Sequence, residues 1–215
     1  MTTTLPRYRT FKPHEENFVQ LSLLDFNDSF TFNIASCLFD LGFSFRVVRF
    51  DQISDFLSLA LEEKKKHIFV YGPGPGDPNH YKDFFPKIEK LLEVKRFFHL
   101  GICLGHQILW KIKGATIERS QEPLHGQSIK IEIPPWEGIF PKKYWKKEVR
   151  VQRYNSLAIK NEGRFPFKTL FDKNGELLIG HFDRALTYQF HPESIGTSFP
   201  SLFFGSLSHF LYNKF

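Results

Sequence analysis

The 215-residue chain reads as one α/β domain: a mixed, mostly parallel open sheet flanked by helices, with an antiparallel extension. Three observations point there. Short apolar runs alternate with stretches of helical spacing through the first half, the pattern of parallel strands joined by crossover helices. After Gly114 the alternation stops, and strand-like runs joined by turn residues take its place. At 41% hydrophobic and 24% charged residues, the composition is that of an ordinary globular protein.

The elements follow in order. Residues 18–25 (FVQLSLLD) form an apolar run ending in an acidic loop, which suits a buried strand. Phe30, Ile34, Leu38 and Leu41 recur at helical spacing, with Asp28 and Ser29 available to cap the start and Gly42 the end. Residues 43–50 read as a strand, 53–61 as a helix and 67–71 as a short strand. A Gly/Pro loop follows at 72–78, then a helical stretch over 82–92, a strand at 97–102 and a helix at 105–112 closed by Gly114. Beyond it, 128–133, 149–153, 177–182 and 186–190 read as strands, with Lys173-Asn174-Gly175 as a hairpin turn. An amphipathic helix over 202–212 ends the chain. Residues 1–17 read as a flexible extension and 18–215 as the domain.

The 26 Phe residues fall largely in the sheet-like runs, which makes most of them core residues. Two cysteines 66 positions apart, Cys37 and Cys103, make no disulfide framework and point to a reducing compartment, the cytoplasm. The formal charge of +6 raises the question of nucleic acid. Its basic clusters, Lys64–Lys66 and the Lys142, Lys143, Lys146, Lys147 group around Tyr144 and Trp145, read as solvated faces, since no nucleic-acid module accompanies them. No window nears 18 consecutive apolar residues, so no membrane span is expected. The N-terminus lacks the apolar region of a secretory signal, and a disordered extension is a simpler reading of it than a transit peptide.

Three motifs carry chemistry. Gly101-Ile102-Cys103-Leu104-Gly105 is a G-x-C-x-G element between a strand and a helix, the nucleophile-elbow pattern with Cys in place of Ser. Glycines there relieve the crowding of a sharp turn, and the helix N-terminus favours a thiolate. The Leu104 amide becomes an oxyanion donor. A structural cysteine beside packing glycines is the alternative. Gln189-Phe190-His191-Pro192-Glu193-Ser194 offers a base: Pro192 biases His191 toward extended backbone, and a residue two positions on, Glu193, faces the same way and can orient the imidazole. Cys, His and carboxylate then form a triad by role. Gly72-Pro73-Gly74-Pro75-Gly76-Asp77-Pro78 is a rigid loop whose amides can approach a ligand. The other histidines have no metal-ligand spacing, so neither a metal nor a cofactor is expected.

Together with Leu24-Asp25-Phe26-Asn27-Asp28-Ser29-Phe30-Thr31-Phe32-Asn33, these motifs resemble the class I (triad-type) glutamine amidotransferase family, in the same order and spacing from about residue 18 onward. The resemblance implies a flavodoxin-like α/β fold and attack of Cys103 on the side-chain amide of L-glutamine. It assigns His191 and Glu193 as base and orienter, and Gly74, Pro75, Gly76, Leu104, Gln107, Ser156 and Leu157 to the oxyanion and glutamine contacts. The 24–33 signature resembles that of members serving chorismate-aminating synthases, so the resemblance implies a separate synthase subunit that uses chorismate, in anthranilate or 4-amino-4-deoxychorismate synthesis. A stand-alone amide or γ-glutamyl hydrolase and a non-catalytic regulatory module are the alternatives. Gly72, Gln127 and Asn155 depart from the family's usual Ser, Lys and His, at positions expected to act in partner docking and coupling.

Overall fold

In the computed structural model, residues 9–11, 19–160, 163 and 166–208 are described. The strands are β1 (Arg9–Phe11), β2 (Val19–Leu24), β3 (Phe45–Val48), β4 (Lys66–Tyr71), β5 (Phe97–Ile102), β6 (Ile117–Arg119), β7 (Gln127–Glu132), β8 (Glu148–Arg153), β9 (Leu157–Ile159), β10 (Lys168–Phe171), β11 (Leu177–Phe182) and β12 (Ala185–Tyr188). The α-helices are α1 (Thr31–Asp40), α2 (Ile53–Glu62), α3 (Phe85–Leu92), α4 (Leu104–Ile112) and α5 (Pro200–Phe204). Eight strands form one sheet in the order β1-β3-β2-β4-β5-β12-β11-β10, and β6-β9 and β7-β8 form two small antiparallel pairs. From β3 to β12 the pairing is parallel; at the edges β1 pairs antiparallel with β3, β11 with β12 and β10 with β11. This is the mixed sheet with an antiparallel extension that the sequence predicts.

Helices on both faces explain why the parallel strands read as continuous apolar runs rather than as alternating ones. Leu21 and Leu23 of β2, Ile68 and Val70 of β4, and Leu100 and Ile102 of β5 pack on one face with Ile34 and Leu38 of α1, Val149 and Val151 of β8, and Phe203. Leu24, Phe69, Tyr71 and Phe97 point to the other face and meet Phe56 and Leu57 of α2, Ile88 and Leu91 of α3, and Ile108 and Trp110 of α4. Many phenylalanines are core, as expected, but Phe32, Phe39, Phe50 and Phe199 are exposed.

The differences from the sequence reading have local causes. Within the stretch read as an extension, Arg9–Phe11 pairs with β3, and the rest of that stretch lies outside the described residues. The first part of the expected 82–92 helix is a 3-10 turn over Pro78–Phe84, started by Pro78 and capped by Asp77, whose carboxylate accepts from the Asn79 amide at 2.7 Å. Three short strands, β6, β9 and β10, carry too little alternation to be seen in sequence. The terminal helix is α5, and residues 209–212 of its predicted span lie outside the described residues. The Lys173-Asn174-Gly175 turn joins β10 to β11, with Gly175 at φ +70° and Asp172 accepting from the amides of Asn174 and Glu176 at 2.9 Å.

Beneath that turn lies a buried charge cluster. Arg153 bridges Asp172 at 2.8 Å and Glu176 at 2.7 Å, and Lys160 reaches Glu176 at 2.8 Å. Ser120 and the Gln121 amide donate to the same Glu176 carboxylate at 2.9 and 2.8 Å. Burial pushes the Glu176 carboxyl up, but the donors from Lys160, Arg153, Gln121 and Ser120 outweigh it and bring its pKa down to about 2. Depression on folding means that Glu176 stabilises the protein above its ordinary value near 4.5, and that this contribution fades as pH falls toward about 2. Denaturant midpoints measured across this window should fall for the wild type. They should fall less for Glu176→Gln, which also starts lower at neutral pH because buried Arg153 and half-buried Lys160 lose their shared anion.

Candidate active site

The site forms at the carboxyl ends of the parallel strands, where open α/β sheets place their ligands. β5 runs directly into Cys103, the N-cap of α4, held at φ +52° and ψ −102°. A non-glycine residue at such angles costs on the order of 1–3 kcal/mol and persists only where its surroundings fix it. Those surroundings are visible. The Cys103 amide donates to Tyr188 O at 2.8 Å, and its carbonyl accepts from the Gln107 amide at 3.1 Å. A Cβ on Gly101 would lie 2.8 Å from the Gly105 carbonyl, and one on Gly105 would collide with the Tyr71 backbone. The two glycines therefore let α4 rise from the sheet at this sharp angle.

The 72–78 loop closes one side. Gly105 N donates to Gly72 O and Gly72 N to Leu24 O, each at 3.2 Å, and the Tyr81 hydroxyl donates to Pro75 O at 2.8 Å. Any side chain at Gly74 would run into Leu104 and Phe26, so this loop can lie against the elbow only with glycine there. Gly74, Pro75, Gly76, Leu104, Gln107, Ser156 and Leu157, all expected near the substrate, line one cleft of about 410 Å³ with Cys103, Tyr154 and Asn155. Among the described residues lining it, none is charged.

His191 and Glu193 follow β12 on the far side of Cys103. His191 Nδ1 lies 2.7 Å from Glu193 Oε1, so Glu193 accepts the Nδ1 proton and leaves Nε2 for other work. Both residues are buried, and Nε2 has no hydrogen-bond partner among the described residues. Burial works against the imidazolium, but the negative charge at Cys103 and then Glu193 overcome it and hold His191 well above its ordinary range. The turn is stitched to β8: His191 N donates to Gln152 O at 2.9 Å, and Thr197 Oγ1 donates to His191 O at 2.7 Å. Cys37, by contrast, is a half-buried thiol of α1 pushed up to about 11 by burial first and then by the charges of Glu193 and Asp40.

Several participants belong to no role that the sequence motifs assign. Gln189 Nε2 donates to Cys103 Sγ at 3.9 Å, while Gln189 Oε1 accepts from Gln107 Nε2 at 3.0 Å. Gln107 Nε2 also donates to Leu157 O at 2.9 Å, and Asn155 donates to the same carbonyl at 2.9 Å. Asn155 in turn accepts from Arg153 Nε at 3.0 Å, which ties the cleft wall to the buried charge cluster. Strand alternation puts Gln189 on the same face as His191, and that is the signal the sequence carries for it. Of the three departures expected at docking surfaces, Gly72 and Asn155 are buried in the site walls, and only Gln127 is exposed. Among the described residues no group of three or more His, Cys, Asp or Glu side chains could hold a metal ion, and no helix is long and apolar enough to cross a membrane.

Comparison with known proteins fits this geometry. Residues 22–209 match the family model described as glutamine amidotransferase class-I. The chain is 35% identical over 189 residues to the pyocyanine-specific anthranilate synthase component 2 of Pseudomonas aeruginosa, covering 84% of this chain and 88% of that one. It is 32% identical over 184 residues to the aminodeoxychorismate/anthranilate synthase component 2 of Bacillus subtilis, covering 82% and 89%. Among solved structures, a GMP synthase-type protein of Thermoplasma acidophilum superposes with a TM-score of 0.73 at 19% identity, covering 92% of this chain and 94% of that one, a likeness of fold.

Replacing Gly105 with alanine should test the elbow. The added methyl meets the Tyr71 backbone, which cannot swing aside, so Gly105→Ala should cost about 1–3 kcal/mol in chemical denaturation. Gly114→Ala, where φ is +86° but nothing lies within 4 Å, should strain only its own backbone and cost less.

Proposed function

The chain belongs to the class-I glutamine amidotransferase family, and on that premise we propose that it is the glutaminase subunit of a chorismate-aminating synthase. The observation that carries this reading is the alignment of Cys103, His191 and Glu193: an elbow thiol at a helix N-terminus, an imidazole raised by that thiol's charge, and a carboxylate 2.7 Å from its Nδ1.

The Cys103 thiolate attacks the δ-carbonyl carbon of L-glutamine, and the carbonyl oxygen becomes an oxyanion. Backbone amides at Leu104 and in the Gly74–Gly76 loop supply the donors such a charge needs. His191 gives its Nε2 proton to the leaving nitrogen, the C–N bond breaks, and ammonia departs from a γ-glutamyl thioester. The imidazole then takes a proton from water as the water attacks the thioester, and glutamate leaves with the thiolate restored. Glu193 keeps the Nδ1 proton in place through both halves. A cleft lined by glycine amides, Gln107 and Ser156 and free of charged side chains among its described residues suits the zwitterionic end of glutamine, which backbone groups can satisfy on both charges.

The destination of the ammonia rests on the relatives. Similar chains include component 2 proteins of anthranilate and aminodeoxychorismate synthases, and the 24–33 signature resembles that of members serving such synthases. On this reading a separate component using chorismate is the partner, and a reducing, cytoplasmic setting suits two cysteines held as free thiols.

Glutamate release from glutamine, measured with and without a chorismate-aminating component, tests the reading. Cys103→Ala should reduce it by at least about 10³-fold, with folding intact. On the alkaline side, release should decline as the raised His191 proton is lost, since the neutral ring cannot protonate the leaving nitrogen. Undiminished release by Cys103→Ala would sink the nucleophile assignment. Turnover of another amide without any partner would favour a stand-alone hydrolase.

A further inference from the structure

Part of the 24–33 signature turns inward. Phe30, the N-cap of α1, and Tyr154, just after β8, lie with ring centroids 4.9 and 5.0 Å from the His191 imidazole and 4.9 Å from each other. Their planes meet the imidazole at 56° and 75°. His191 is only 2% exposed, whereas Phe30 and Tyr154 are half-buried, so these two rings form part of its outer cover.

We propose that Phe30 and Tyr154 are positioning residues for the base, two adjoining aromatic walls that brace the His191 ring from one side. The need for a brace follows from the geometry of the other restraint. The hydrogen bond from Nδ1 to Glu193 fixes one point of the ring and leaves the imidazole free to tip about that axis, which moves Nε2 off line. Two rings in contact with each other and with the imidazole block its tipping toward them, and small displacements of a proton donor carry large rate costs.

Both walls are themselves held. The Phe30 amide donates to Asp28 Oδ1 at 2.8 Å. Asp25 Oδ1 accepts from the Asn27 amide at 2.9 Å and from the Thr31 hydroxyl at 2.8 Å, which shapes the turn presenting the ring. Tyr154 shares a hydrogen bond with Ser194 Oγ at 3.2 Å, and Ser194 donates to Gln152 Oε1 at 2.5 Å. The signature loop, β8 and the turn after β12 thus converge on one imidazole. The partner-associated 24–33 segment contacts the base directly rather than serving only as outer surface.

The brace rests on the assignment of His191 as base, so its test carries a readout that needs no glutamine. The variants are Phe30→Leu, which keeps apolar cover but loses the ring, Tyr154→Leu, which removes the adjoining ring, and Phe30→Tyr, which restores a ring. Phe30→Leu and Tyr154→Leu should each lower the kcat for glutamate release about tenfold, with KM within about twofold for Phe30→Leu, which lies outside the cleft lining, and slow iodoacetamide alkylation of Cys103 at neutral pH by about threefold or more. Phe30→Tyr should recover most of both losses, with thermal midpoints reported alongside. Wild-type kcat and alkylation rates in Phe30→Leu and Tyr154→Leu, or a change confined to KM in Phe30→Leu, would overturn the brace. Glutamate release by the wild-type protein judges the functional reading separately.

Discussion

At Cys103 the backbone takes a positive φ of 52° as β5 turns into α4, and much of the surrounding architecture allows or uses that single turn. Gly101 and Gly105 leave room for it, and the Tyr188 carbonyl on β12 and the Gly72 carbonyl beside β4 tie it down from both sides. The order β4-β5-β12 in the sheet puts the 72–78 loop on one flank of the thiol and the 189–194 turn on the other. Strain on the order of 1–3 kcal/mol is concentrated at one residue and offset by a core that buries both faces of the central strands.

The second constraint is electrostatic. A buried histidine ordinarily loses its proton, yet His191 gains affinity for one because Cys103 and the Glu193 carboxylate flank it. Elsewhere in the molecule the ordinary outcome holds: burial drives His99 and His106 down to about 3. The contrast isolates the pair of negative partners as the cause. On the opposite wall, the Arg153–Glu176 cluster orders Asn155, Asn155 and Gln107 share the Leu157 carbonyl, and Gln107 meets Gln189 beside the thiol. Charge buried beneath the 173–175 turn is thereby linked to the wall of the cleft.

The sheet is legible in the sequence wherever periodicity or punctuation is strong. β5 and β11 fall on their predicted spans because apolar runs are bounded by clear breaks, and the G-x-C-x-G spacing marks the elbow because its glycines answer a steric demand. The His191–Glu193 contact follows from two-residue alternation across a proline. Less is visible where tertiary packing decides. Phe30 reads as one apolar position on a helix, since nothing local shows a ring meeting a histidine 161 residues later. Asn155 and Gly72 read as docking-surface positions, although distant strands contribute the walls that bury them. The charge cluster at Glu176 likewise draws on Ser120, Arg153 and Lys160, whose separation in sequence hides their common partner.

The central claim is that Cys103, and not the other thiol, is the nucleophile toward glutamine. Treating the protein with a diazoketone analogue of glutamine and mapping the adduct by peptide mass spectrometry measures this directly. The account predicts one equivalent bound at Cys103, protection by glutamine, and no label on Cys37, whose pKa of about 11 keeps it protonated. An unmodified Cys103 at saturating reagent, or label distributed to Cys37, would contradict it.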